Sequence, residues 1–381
     1  MVILLVMISI YRWVMPVSLP QSQLQTLLPE GEKFQQLTQD PPVWVGKTQD
    51  QVVGYLALGQ ANGYGGPMSV ATVMDAQGKI KKVSILAHRD TPAFINMLAT
   101  QHYTDRFAGI QVPGAKASDF EVDGISGATY SSRGVAKGVG IGGRAVSSTV
   151  FGKTIPGVPE RFNWGTVDAV VALLMGLMIL GSVKKYRKLR WVTLGGGFIL
   201  LGFYYSIPLS FSHLVSLCLG YFPDIHHSLA WYLLVPGVLL LCLAMGRNLY
   251  CYWLCPFGAF QELTAGMGGG KWRCRKSMDK SLGRIKSIVT VVCLVAGVIL
   301  ANPGVVGYEP FSLFFALQGE GIQWYILPVV VFASFFIHRF WCRYFCPVGV
   351  VLGVVAAYGR LIRRWRRGRK KEKALKKGGL K

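Results

Sequence analysis

Between residues 164 and 338 the chain passes through five apolar stretches, at about 164–183, 191–209, 229–246, 287–303 and 322–338. Each is near the length an α-helix needs to cross roughly 30 Å of hydrocarbon. Composition argues against a soluble core, because 51% hydrophobic residues with 10 Trp, 16 Tyr and 20 Phe leave too few charges to cover a globule of 381 residues. The stretches are expected to be transmembrane helices of an all-α polytopic domain over 160–358. A sixth stretch, 2–19, is interrupted by Arg12 and Pro16 and has no basic residue ahead of it. It is taken as an N-terminal membrane anchor over 1–19, with a signal segment or a span lacking its upstream residues as the other readings.

Charge orients such a domain, since Lys- and Arg-rich loops stay cytoplasmic. Lys184, Lys185, Arg187, Lys188 and Arg190 follow the first stretch, and Lys271, Arg273, Arg275, Lys276, Lys280, Arg284 and Lys286 follow the third. The tail 359–381 carries twelve basic residues against Glu372 alone, whereas the loops around Pro223-Asp224 and Glu309-Pro310 have no Lys or Arg. The C-terminus is thus expected in the cytoplasm and the region ahead of residue 160 outside, on a multi-pass protein of the cytoplasmic (inner) membrane. The net charge of +23 follows from this topology and from attraction to anionic lipid, worth about 1 kcal/mol per basic residue near the surface. Arg363-Arg364-Trp365-Arg366-Arg367 fits a juxtamembrane flank, and no nucleic-acid-binding module is expected.

Residues 40–155 have a different pattern. Val70–Asp75 and Ile80–Leu86 flank Ala76-Gln77-Gly78 as a hairpin, and Ile80, Val83 and Ile85 suggest a half-buried strand. Ser131 is expected to cap a helix on which Val135 and Val139 share a face, weakened by five glycines between 134 and 143 at about 1 kcal/mol each. The segment therefore reads as a small α+β domain.

Four of the eight cysteines form a repeat, Tyr250-Cys251-Tyr252-Trp253-Leu254-Cys255-Pro256 and Trp341-Cys342-Arg343-Tyr344-Phe345-Cys346-Pro347. A helical Cys-x3-Cys sets both sulfurs on one face, after which proline is expected to stop the helix. Cys251, Cys255, Cys342 and Cys346 supply the four thiolates of one shared iron–sulfur centre, with a four-thiolate zinc site as the alternative. Cys218, Cys242 and Cys293 fit apolar core positions, and Cys274 has no assigned role.

Asp123-Gly124-Ile125-Ser126-Gly127-Ala128-Thr129 resembles the sequence on which flavin transferases of the ApbE type attach FMN to threonine. The resemblance implies a phosphoester from FMN to Thr129, with Asp123, Ser126, Gly127 and Ala128 as the other cofactor-binding residues; Ser126, Gly127 and Ala128 supply a thin, accessible backbone. The segment from Trp44 to Ser148, including Gly63-Tyr64-Gly65-Gly66-Pro67 and His88-Arg89-Asp90-Thr91-Pro92, is similar to the FMN-binding domain of the NqrC/RnfG subunits. Relatives usually carry Glu where Asp90 stands. With the paired Cys-x3-Cys-Pro motifs, nearly the whole chain resembles NosR/NirI-type proteins and is closest to the short RdhC type, since no ferredoxin-type cysteine run follows Cys346.

The resemblance implies an extracytoplasmic FMN-binding domain joined to about six transmembrane helices. It also implies electron transfer from the membrane quinone pool or a cytoplasmic donor to an exported, dehalogenase-like reductase. No stand-alone catalytic residue is assigned. Two alternatives stay open: a maturation factor for an exported metalloenzyme, and a membrane redox sensor. A flavin outside and thiolates near the inner face would stand roughly 30 Å apart. Such a carrier needs a stepping stone: a bound quinone, placed near His213, His226 and His227, or a centre drawn inward among Tyr250, Trp253, Trp341, Tyr344 and Phe345.

Overall fold

The computed structural model describes residues 21–63, 65–90, 92–125, 127–157, 162, 164–270, 272, 276–317, 319 and 321–378. The anchor expected at 2–19 lies outside them, as do Tyr64, Thr91, Ser126, Lys271, Arg273, Cys274 and Arg275. The chain divides into two units. One comprises the chain up to Phe162 with Val215–His226 and Ala296–Gly307; the other comprises Asn163–Leu214, His227–Val295 and the chain from Tyr308 onward.

The first unit is built on a five-stranded antiparallel meander: β1 Lys33–Gln39, β2 Pro42–Thr48, β3 Gln51–Asn62, β4 Pro67–Asp75 and β5 Ile80–His88, in that order. Both faces are covered, which explains why β4 is buried except at its two ends and β3 is buried through its middle, residues 54–59. Val43, Val45, Tyr55, Ala57, Met68, Val70 and Met74 pack on one face with Val135, Val139 and Val146 of helix α3. The alternate residues Trp44, Leu56, Leu58, Ala71 and Val73 meet Leu24 and Leu28 at helix α1, Gln21–Leu27, on the other. The expected hairpin is present. Asp75 Oδ1 accepts from the Gln77 and Lys79 amides at 3.0 and 2.9 Å, and Gly78 turns the chain with φ of 78°. A register shift beside Met74 sets both Ile80 and Val83 inward despite their odd spacing.

Helix α2 spans Pro92–Thr100 and α3 spans Thr129–Phe151. The glycines of α3 serve contact. Gly134, Gly138 and Gly142, four residues apart, present bare backbone to β3, and a Cβ on Gly59 would overlap the carbonyl of Gly138. Their cost in helix propensity is offset by a sheet-to-helix approach that no side chain would permit. Ser131 is not the cap: Ala128 is the cap residue, and Ser131 is buried inside the helix.

The second unit is helical. Two helices, Thr166–Lys184 and Ser277–Ile299, are long and apolar enough to cross a membrane by length and composition. Leu229–Met245 and Gln323–Phe336 are apolar but shorter, and the stretch expected at 191–209 divides between helix Arg187–Gly196 and a π-helical turn, Gly197–Tyr204. Of the five expected spans that fall on described residues, two therefore meet the length. Pro236 sits in a π-helical turn of the first shorter helix and Pro328 inside the second; each removes a backbone donor from the ladder. The basic segment after the third apolar stretch is not wholly a loop either, because Lys276, Lys280, Arg284 and Lys286 occupy helix Lys276–Ile299. The basic tail continues helix Pro347–Gly378.

Candidate functional site

Thr129 is the first residue of α3 and is exposed, with its hydroxyl 3.4 Å from the Ile125 carbonyl. Three bonds make the preceding turn rigid. The Ile125 amide donates to Ser132 Oγ at 3.0 Å, Ser132 Oγ donates to the Ala128 carbonyl at 2.9 Å, and the Ala128 amide donates to the Ile125 carbonyl at 3.0 Å. Gly127 turns with φ of 85°, in the left-handed region that glycine tolerates. Asp123, Gly127 and Thr129 are left outward, while Ala128 is buried and is not part of the accessible backbone; Ser126 lies outside the described residues. A phosphate carried at Thr129 would lie at the positive end of the helix dipole.

The flanks of the turn are fixed from the segment after α2. Tyr103 is fully buried and donates to the Val122 carbonyl at 3.1 Å, and Arg106 donates to the Asp123 carbonyl at 3.2 Å. Burial, and then the Asp123 charge against the opposing pull of Arg106, pushes the Tyr103 hydroxyl up to about 12. It stays protonated and remains a donor.

Asp90 is buried and ties the Gly63–Pro67 loop to α3. Oδ1 accepts from the Gly65 amide at 2.8 Å and Oδ2 from the Ser131 hydroxyl at 2.6 Å. The same loop is held within its unit from the other side, where Ser216 Oγ donates to the Gly65 carbonyl at 2.9 Å and Asn62 Nδ2 to the Phe222 carbonyl at 2.8 Å. Asp90→Ala leaves two buried donors without an acceptor, so a loss of about 2–3 kcal/mol in the stability of this unit is expected. Chemical denaturation of the purified protein followed by intrinsic fluorescence checks it, with Ser131→Ala expected to cost about half as much.

Two of the three histidines expected near a quinone, His226 and His213, have other partners. His226 contacts Asp224 Oδ1 through its ring at 3.0 Å, and Lys137 pairs with Asp224 Oδ2 at 3.0 Å. Burial acts upward on Asp224, and the hydrogen bonds from Lys137 and His226 outweigh it, holding the carboxyl down to about 2. In the other unit, His213 is buried, with Nδ1 3.0 Å from Ser210 Oγ.

The two cysteine motifs fold alike. Helix Leu249–Trp253 ends before Cys255, and helix Phe340–Tyr344 ends before Cys346; in each, the amides of the last two residues of the motif converge at 2.9 Å on one carbonyl, that of Tyr250 or Trp341. The prolines do not stop these helices. Pro256 and Pro347 start the next ones, where a missing N–H costs nothing. The paired cysteines consequently do not share a helix. The second of each pair stands at the start of the following helix, and its sulfur accepts from a glycine amide at 3.4 Å, Gly258 to Cys255 and Gly349 to Cys346. Cys342 Sγ accepts from Gln261 Nε2 at 3.3 Å, and the Cys251 amide is capped by Asn248 Oδ1 at 3.1 Å.

Cys255 and Cys346 are buried, and Cys251 and Cys342 half-buried. Tyr250, Trp253, Trp341 and Tyr344 are buried around the motifs, so these four do not form an exposed belt; Phe345 is exposed. Cys242 is buried as expected of a core cysteine, Cys293 is half-buried, and Cys218 is exposed. Among the described residues no three of His, Cys, Asp or Glu gather as the ligands of a single metal ion would. Four thiols with N–H donors aimed at three of the sulfurs nonetheless match in kind and number what an iron–sulfur cluster takes, since hydrogen bonds to sulfur stabilise thiolate ligands.

Comparison with known proteins bears on both sites. Residues 63–141 match an FMN-binding domain, and residues 228–275 and 325–370 match a 4Fe-4S binding domain twice. The regulatory protein NosR of Pseudomonas aeruginosa is 26% identical over 220 residues, which is 52% of this chain and 30% of NosR. Protein NirI of Paracoccus denitrificans is 25% identical over 227 residues, 54% of this chain and 32% of NirI. The RnfG-type component of the Na+-translocating ferredoxin:NAD+ oxidoreductase complex of Acetobacterium woodii is 32% identical over 106 residues, 26% of this chain and 51% of that component. The match thus spans about a third of the length of NosR and NirI. FMN and an iron–sulfur cluster are the cofactors these domains support. The chain is a NosR/NirI-like FMN-binding protein with an RnfG/NqrC-like domain.

Proposed function

We propose that this protein is a membrane flavoprotein carrying FMN covalently on Thr129 and one iron–sulfur centre on Cys251, Cys255, Cys342 and Cys346. It passes electrons from the quinone pool or a cytoplasmic donor to an exported, dehalogenase-like reductase. The observation that carries the flavin assignment is the exposed hydroxyl of Thr129 at the start of α3, on a turn pinned by Ile125, Ala128 and Ser132. FMN supplies the one- and two-electron chemistry when attached. The chain's own residues present the acceptor hydroxyl, set a phosphate at the start of α3 where the helix dipole favours negative charge, and keep the turn from collapsing over it.

Membrane attachment is supported by what the apolar helices leave uncovered. Along Thr166–Lys184 and Ser277–Ile299 most of the apolar window faces away from the protein, with Leu173, Leu180, Ile288, Val291 and Val292 exposed. A helix in a soluble core would bury that surface. In the proposed topology the basic residues of the first and third segments and of the C-terminal helix face the cytoplasm and anionic lipid, and the flavin domain faces outward. A quinone near the outer helix ends, or a centre drawn into the membrane, would bridge the distance between the cofactors. Spin-label distances between flavin and cluster, with quinone extraction, measure it.

Protein produced with a flavin transferase of the ApbE type should give a fluorescent band on a denaturing gel, and Thr129→Ala should abolish it. A wild-type peptide over 123–133 without the added mass of FMN would overturn the covalent assignment.

A further inference from the structure

We propose that Arg339 and Lys286 are positioning residues that hold up the reduction potential of the iron–sulfur centre, each setting a cation on the equivalent backbone carbonyl of one half of the cysteine repeat. This rests on the assignment of a cluster to the four repeated cysteines. Arg339 Nη1 donates to the Cys251 carbonyl at 2.7 Å, and Lys286 Nζ donates to the Cys342 carbonyl at 2.7 Å. Cys251 and Cys342 are the first cysteines of the two motifs, so the two bonds correspond.

The correspondence extends to the glycines after the prolines. A Cβ on Gly258 would lie 3.6 Å from Arg339 Nη2, and one on Gly349 would lie 3.4 Å from Lys286 Nζ and 3.9 Å from Cys346 Sγ. Each cation therefore stands over the glycine whose amide points at the second cysteine's sulfur. The two cations come from unrelated places: Arg339 immediately precedes helix Phe340–Tyr344, whereas Lys286 belongs to helix Lys276–Ile299. The sequence repeat does not generate this match, since Asn248 occupies the position equivalent to Arg339 and caps its own helix.

Two features separate a charge role from simple capping of helix carbonyls. Arg339 adopts a left-handed backbone with φ of 54°, which L residues rarely take, and its Nη2 is buried with no hydrogen-bond partner. A neutral donor would satisfy the Cys251 carbonyl as well. Glu262 offsets part of the charge, contacting Arg339 Nε at 2.9 Å, but it also takes Arg190 at 2.5 Å, so the group keeps a net positive charge. Reduction would add one negative charge to the centre. A nearby cation stabilises the reduced form in a poorly screened interior.

The experiment is redox titration of the full-length, anaerobically purified protein, read by electron paramagnetic resonance, with iron and acid-labile sulfide measured on each sample. Arg339→Gln and Lys286→Gln keep a hydrogen-bond donor and remove the charge. Each should hold wild-type iron and shift the redox equilibrium toward the oxidised form by about tenfold, which is about 59 mV lower for a one-electron couple. Arg339→Lys and Lys286→Arg should stay near the wild-type midpoint. Unchanged midpoints in iron-replete Gln variants would overturn the proposal, as would equal shifts in the Gln and charge-keeping variants. If Arg339→Gln loses iron, Lys286→Gln decides; loss of iron in both assigns the residues to holding the centre rather than tuning it, and overturns the proposal. Wild-type protein without iron and sulfide instead removes the cluster assignment itself.

Discussion

Cys251→Ser combined with Cys342→Ser is expected to leave a protein without a brown chromophore, its iron and acid-labile sulfide reduced by far more than tenfold. Removing an outer partner of a metal ligand already costs about 10–100-fold in affinity, and this double change takes one thiolate from each half of the repeat. Elemental analysis after anaerobic purification reads the result directly. Iron and sulfide at wild-type levels would show that the four cysteines are not one ligand set. Zinc in wild-type protein, lost in the double variant, would show instead that the same thiols hold a structural metal.

Gly59→Ala is expected to be the most damaging single methyl in the flavin domain, at about 3 kcal/mol or more. Overpacked cores ordinarily relax by moving side chains. Here the added carbon meets the backbone carbonyl of Gly138, so either β3 or α3 must shift as a whole. Gly140→Ala is the control. Its Cβ would meet only the flexible end of Arg144 at 3.3 Å and Phe120 at 3.5 Å, and the gain in helix propensity keeps the net change within about 1 kcal/mol. Urea denaturation of both variants in detergent, followed by intrinsic fluorescence, measures the difference; equal stabilities would mean that the close approach at Gly59 is not what sets the packing.

That contact also shows where sequence stops informing. The β4–β5 hairpin was legible because Asp75 and Gly78 are turn residues with a local mechanism and the flanking alternation is local as well. The glycines of α3 looked like a weakness, since their benefit lies in β3, more than seventy residues earlier in the chain at Gly59. Ser131 looked like a cap for the same reason; its partner is Asp90, brought near only by the tertiary fold. The Cys-x3-Cys spacing suggested one helix with two sulfurs on a face. Proline, which breaks a helix when it falls inside, opens one when it comes first, and that choice set Cys255 and Cys346 just ahead of the next helix. The apolar spans were legible as hydrophobic runs, but their helical lengths were not: the run at 191–209 changes to a π-helical turn at Gly197, and the helices around Pro236 and Pro328 are shorter than the runs that contain them.

Thr129 already has helical backbone in the folded protein, and the turn before it is closed by Ser132. A flavin transferase acting on this hydroxyl would therefore meet a finished surface rather than a loose peptide. It would have to take the threonine as the folded domain offers it or unwind the first turn of α3. On the proposed assignment, assembly would then have an order: the domain would fold first and modification would follow, and a variant that disturbs the turn would fail as a substrate for the transferase before it failed at any later step.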